Sequence, residues 1–138
     1  WFEQVANDQA MEPWLDEALC AYSERLYYET VDPSLVSWWW EYWPGRVGGT
    51  DALGWVDITV YEGGGFMPYT NTAYLLGARF LEDLRTRIGD EAFFAFLQDY
   101  RTQMNGGIAT SDDFFAILRQ HTSADISDLI ASYFATPH

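Results

Sequence analysis

The sequence contains no lysine, one cysteine, two histidines and five prolines in 138 residues. Each scarcity excludes something. All seven cations are arginines against 21 acids, for a net charge of −14, so the clustered positive charge that nucleic acid or an anionic membrane surface needs is missing. A single Cys20 cannot form an internal disulfide. His121, His138 and Cys20 are together too few for a self-contained structural zinc site, which takes four ligands. There is no P-loop lysine, no G-x-S-x-G nucleophile elbow, and no apolar run near the roughly 18 residues that cross a bilayer.

What the chain has in quantity is apolar and aromatic surface. Hydrophobic residues make up 49% and aromatics 18%, enough for one core, and the length is that of one domain. Pro13 inside a polar start, followed by Trp14, Leu15, Ala18, Leu19, Tyr22 and Leu26, predicts a first helix over about 13–29 with one buried stripe. A second helix is expected from Ser34 to Trp43, closed by Pro44-Gly45. Gly48-Gly49, Gly54 and Gly63-Gly64-Gly65 mark a long irregular connection over 47–69 with room for a short strand or two. Leu75, Leu76, Phe80, Leu81, Leu84 and Ile88 give a third helix over 71–88 ending at Gly89, and Asp90 reads as the cap of a fourth that closes at Asn105-Gly106-Gly107. Thr110 through Asp113 resembles a capping arrangement for a fifth over 111–121, and a last helix is expected over 124–134. The fold class is mostly α, as one helical domain over 1–138.

The run Trp38-Trp39-Trp40-Glu41-Tyr42-Trp43 could stack sugar rings or peptide side chains, but consecutive helical residues point about 100° apart. Two of the three adjacent tryptophans are therefore expected in the core and one facing a neighbour or cleft. The corresponding functional reading is an acidic, aromatic carbohydrate-binding module.

Trp14-Leu15-Asp16-Glu17-Ala18-Leu19-Cys20-Ala21-Tyr22-Ser23-Glu24 is more specific. It resembles the W-L-[ND]-E-[GA]-x-x-x-Y-x-E segment of the M1-type gluzincin metallopeptidases, the aminopeptidase N and leukotriene A4 hydrolase family. Downstream, Tyr74-Leu75-Leu76-Gly77-Ala78 is similar to that family's Y-x-K-G-[AF] helix, with Leu76 where lysine is common.

The resemblance covers most of the chain and carries definite expectations. The fold would be the helical, bundle-like C-terminal part of a thermolysin-like catalytic domain. Glu17 would be the third ligand of a catalytic zinc, Tyr74 would stabilise the oxyanion of the tetrahedral intermediate, Tyr69 matches a second tyrosine of some members, and Asp16 and Glu24 would support the ligand. Trp1-Phe2 looks like the continuation of an HExxH helix, so an upstream HExxH-containing segment would supply two histidines and the general base, and this piece alone would be inactive, binding no zinc tightly. The substrate would be a peptide. The G-x-M-E-N motif that binds a substrate amine is absent, so aminopeptidase specificity does not carry over. Many larger members are secreted or attached to the cell envelope. The alternative is a non-catalytic binding or scaffold domain that kept the gluzincin helices.

Overall fold

The structure, a computed structural model, describes residues 1, 3–47, 54–62 and 64–138, without the side chains of 43–47. It is mostly helical. A two-residue strand β1 (Ala6–Asn7) leads into helix α1 (Trp14–Val31). A 3-10 turn (Pro33–Leu35) precedes α2 (Val36–Val47), and after the connection come α3 (Phe66–Thr70), a π-helical turn (Asn71–Leu76) and α4 (Gly77–Ile88) as one continuous rod. Then follow α5 (Asp90–Gln103), strand β2 (Ile108–Ala109), α6 (Ser111–His121) and α7 (Ser127–Tyr133).

The core forms where the apolar stripe of α1 meets α4, α5 and α6. Trp14 is its centre: fully buried, it meets Phe114 and Phe134 edge-on at 5.0 Å and Phe80 at 6.0 Å. Its indole Nε1 donates to Ser111 Oγ at 3.1 Å, so the one polar atom of the ring is satisfied inside the core. The preferred edge-to-face geometry recurs between Phe96 and Phe114 and between Phe80 and Phe134. Aromatic area of this kind makes a core in a short chain that has no crosslink.

A belt of charge lies over the α1–α4 seam. Arg85 on α4 makes a two-pronged contact with Glu29 of α1 at 2.8 and 2.9 Å and reaches Asp90 at 2.8 and 3.0 Å. Arg25 pairs with Glu29 and Glu82, and the Tyr22 hydroxyl donates to Glu82 at 2.5 Å. With so few cations, three acids compete for two guanidinium groups, and this fixes the rotation of α1 against α4.

Several boundaries differ from those read in the sequence, each for a local reason. Helix α2 runs through Pro44-Gly45 to Val47: a proline near a helix end forfeits one backbone bond without forcing a stop. The rod that carries Tyr74 begins one turn earlier than expected, at Phe66, because Gly65 with φ 112° starts it and Pro68 in a first turn has no partner to lose. Asp90 does not cap α5; Gly89 with φ 84° holds that place, and the Asp90 carboxylate is spent on Arg85. α7 starts only at Ser127, since Asp125 accepts from Ser127 N and Oγ at 2.9 and 2.6 Å in a tight turn. Residues 55–61 form turns rather than a strand, while Gly48-Gly49 and Gly63 lie outside the described residues. The parallel pairing Ala6↔Ile108 and Asn7↔Ala109 is too short to have left a period-two pattern. Thr110 does cap α6, in a full capping box with Asp113.

Two measurements check this packing. Trp14→Ala should cost about 3–5 kcal/mol in denaturant melts, whereas a surface change such as Gln98→Ala should cost little. The Arg87 guanidinium grips Asp128 at 2.8 Å with both nitrogens and holds its carboxyl down at about 2, against 3.8 ordinarily. A depressed acid contributes stability that is complete above its unfolded value and is lost as pH falls from about 3.8 to about 2. Asp128→Asn should therefore melt below the parent at neutral pH, and the difference should vanish in strong acid.

Candidate functional site

Glu17 lies in the first turn of α1, one residue before Ala18 of the buried stripe, so its side chain leaves the helix at the edge of the core rather than on the open surface. It is half-buried there. Removal of water raises its pKa above the ordinary value of 4.5, the neighbouring Asp16 charge raises it further, and a hydrogen bond from the Tyr74 hydroxyl acts in the opposite direction. Tyr74 comes from the π-helical turn on the facing rod. Its own hydroxyl is pushed well above the usual tyrosine range by burial and then by donation to the Glu17 carboxylate, so it stays protonated across the whole physiological range.

Tyr69 completes an aromatic wall. Its ring meets that of Tyr74 edge-on at 6.2 Å, and its hydroxyl is shifted upward by burial and by the charges of Glu17 and Asp16. Asp16 is nearly buried; it accepts from Gln9 Nε2 at 3.0 Å and from the Cys20 thiol at 3.4 Å. The structure thus gathers Glu17, Tyr74, Tyr69 and Asp16 into one place. Glu24 shares the helix face of Glu17 but lies two turns on, about 10 Å along the axis, partly buried.

The local backbone is unusual where it matters. A π-helical turn is rare and tends to occur at functional sites. Here the Gly77 amide reaches back five residues to the Thr72 carbonyl. No pattern in the sequence signals this turn, because the apolar spacing on either side is that of an ordinary helix.

Among the described residues, no group of three His, Cys, Asp or Glu side chains converges to hold a metal. His121 bonds instead to Asp99 at 3.0 Å, and the His138 ring stacks on Phe115 at 4.6 Å. An open, mostly apolar pocket of ≈ 480 Å³ beside α7, lined by Trp55, Ile130, Phe134 and His138 among others, shares no residue with the Glu17 cluster. In the tryptophan run, Trp39 is fully buried, Trp40 packs on the core beneath Arg79 at 3.7 Å, and Trp38 is exposed and stacked on Tyr42 at 4.8 Å. That partition of two inward and one outward is the one expected from helical geometry. No protein-family model matches the chain, nor does any curated protein or any solved structure. No helix among the described residues is long and apolar enough to cross a membrane.

A half-buried carboxylate with a raised pKa binds more protons folded than unfolded, so it lowers stability as pH rises through its titration. Glu17→Gln, which keeps an oxygen for Tyr74 and removes the charge, should melt above the parent at neutral pH and lose that advantage in acid. Carboxyl-carbon NMR of Tyr74→Phe should show Glu17 titrating still higher, since the bond that favours its ionised form is gone.

Proposed function

We propose that this chain forms one wall of the active site of a zinc-dependent, M1-like metallopeptidase, as the C-terminal helical part of a thermolysin-like catalytic domain. The observation that supports the reading is the closeness of the Tyr74 hydroxyl to the Glu17 carboxylate, each of which shifts the other's titration. It joins the two residues that the sequence resemblance singles out independently, one on α1 and one on a separate rod.

The donor chemistry fits a zinc ligand. A carboxylate on a rigid helix, partly stripped of water and kept next to a second buried acid, is an unfavourable place for an uncompensated charge and a favourable one for a cation. In this reading Glu17 provides one ligand, while two histidines and the general base come from an HExxH-containing segment outside these residues, and the chain alone is inactive. The chemistry a bound zinc supplies is Lewis-acid polarisation of the scissile carbonyl. Tyr74 does the rest of what these residues can do. Its phenol holds its proton firmly, and a Glu17 carboxylate committed to a cation has less to offer it, which leaves that proton available to an oxyanion beside the pair. Tyr69 extends the same wall through its edge-on contact with the Tyr74 ring.

The test takes the full open reading frame that contains this sequence, measures bound zinc, and assays hydrolysis of a mixed peptide library. Glu17→Ala should lose zinc and activity together. Tyr74→Phe should keep zinc while kcat falls about 100- to 1,000-fold. Full activity in Glu17→Ala sinks the assignment, and a zinc-free, inactive product favours the scaffold alternative.

A further inference from the structure

We infer that Gly77 is the positioning residue of the Glu17–Tyr74 pair: its missing side chain lets the rod close onto Ala18, and that contact sets where the π-helical turn presents Tyr74. A Cβ built on Gly77 would lie 2.5 Å from the Ala18 Cβ and 3.5 Å from its Cα, with Val56 Cγ1 at 3.7 Å on the other side. Real Cβ atoms do not approach that closely. Gly77, Ala18 and Val56 are all fully or nearly fully buried, so no flexible side-chain end is available to move aside.

The position of the contact in the chain gives it its consequence. Ala18 directly follows Glu17. Gly77 is three residues past Tyr74, and its own amide closes the π turn on the Thr72 carbonyl. One residue therefore sets the spacing between the rods and pins the end of the turn that aims the phenol. Any widening at Gly77 moves Tyr74 away from Glu17 with only one intervening helical turn to absorb the shift. Gly77 does not use left-handed backbone freedom here, for its dihedrals are ordinary helical ones at φ −62° and ψ −42°; only its size is used.

Helix propensity and packing make opposite forecasts, which gives a clean experiment. Alanine is the better helix former, so propensity alone has Gly77→Ala raising Tm. The contact has it falling, and has Gly77→Ala/Ala18→Gly recovering most of the loss by returning the methyl space from the other helix. Position is read in the chain itself by fluorine NMR of protein labelled with 3-fluorotyrosine, with the Tyr74 signal assigned through Tyr74→Phe. Gly77→Ala should move that signal toward its place in Glu17→Ala, and the double variant should move it back. If Gly77→Ala does not fold, Ala18→Ser provides a smaller overfilling of the same gap and should displace the signal in the same direction. A Tyr74 signal that stays put in a folded Gly77→Ala, or in Ala18→Ser, overturns the inference, as does a double variant that recovers neither fold nor signal.

The catalytic consequence rests on the metallopeptidase reading, and the two fail separately. In the full open reading frame, Gly77→Ala should lower kcat about 10- to 100-fold with KM unchanged, and the double variant should restore it. A moved signal with unaltered hydrolysis keeps the positioning role and removes the peptidase reading; an unmoved signal with a dead Tyr74→Phe does the reverse.

Discussion

The structure depends on how closely α1 and the Phe66–Ile88 rod approach each other. Both helices give up size at the contact, Ala18 on one and Gly77 on the other, and the rest of the seam is arranged around that near-touch. On the rod, Phe80, one turn past Gly77, packs edge-on against Trp14, and farther along the same helix Glu82 and Arg85 meet Tyr22, Arg25 and Glu29 of α1. A seam that combines a close small-residue contact, ring packing and ion pairs resists both sliding and rotation. Fixing the two rods in this way also fixes Glu17 and Tyr74, since each is within one turn of the contact.

Electrostatics at the pair work against stability. A chain with 21 acids and seven arginines has little charge to spare for neutralising a half-buried carboxylate, and the cations near the seam are already engaged with Glu29, Glu82 and Asp90. Among the described residues, the side chains that act on Glu17 are a phenol and a second acid. An apolar or neutral residue at position 17 would be the more stable choice at this half-buried place. Beside Asp16 and partly stripped of water, the Glu17 charge is held at a cost, and under the proposed metallopeptidase reading a bound cation would offset it.

Much of this architecture is legible in the sequence, and where it is not the reason is physical. The α1 stripe, the α4 periodicity and the Thr110 capping box are local patterns, so they read correctly. The boundaries that differ do so where a usual local role gives way to position or to another partner: Pro44 lies near a helix end, Asp90 is taken by Arg85, and the Asp125 turn delays the last helix from 124 to Ser127. In the candidate site, Glu17 and Tyr74 are legible as residues, through the Trp-Leu-Asp-Glu and Tyr-x-x-Gly patterns, but their meeting is not. It depends on a π turn with no sequence period and on a long-range contact between two small residues, neither of which local propensity reports.

That division says something about how the site is built. Residues that do chemistry are conspicuous because their types are costly to bury, whereas those that hold the geometry are small, apolar and easy to pass over. In this chain the conspicuous Glu17 could sit on any solvated helix and do nothing. It becomes a candidate ligand because an unremarkable Ala18 and Gly77 allow the facing rod near enough for a phenol to reach it. The precision of the pair is therefore set by excluded volume, and the steepness of that repulsion explains why one methyl group at Gly77 should matter more than most changes to the charged residues around it.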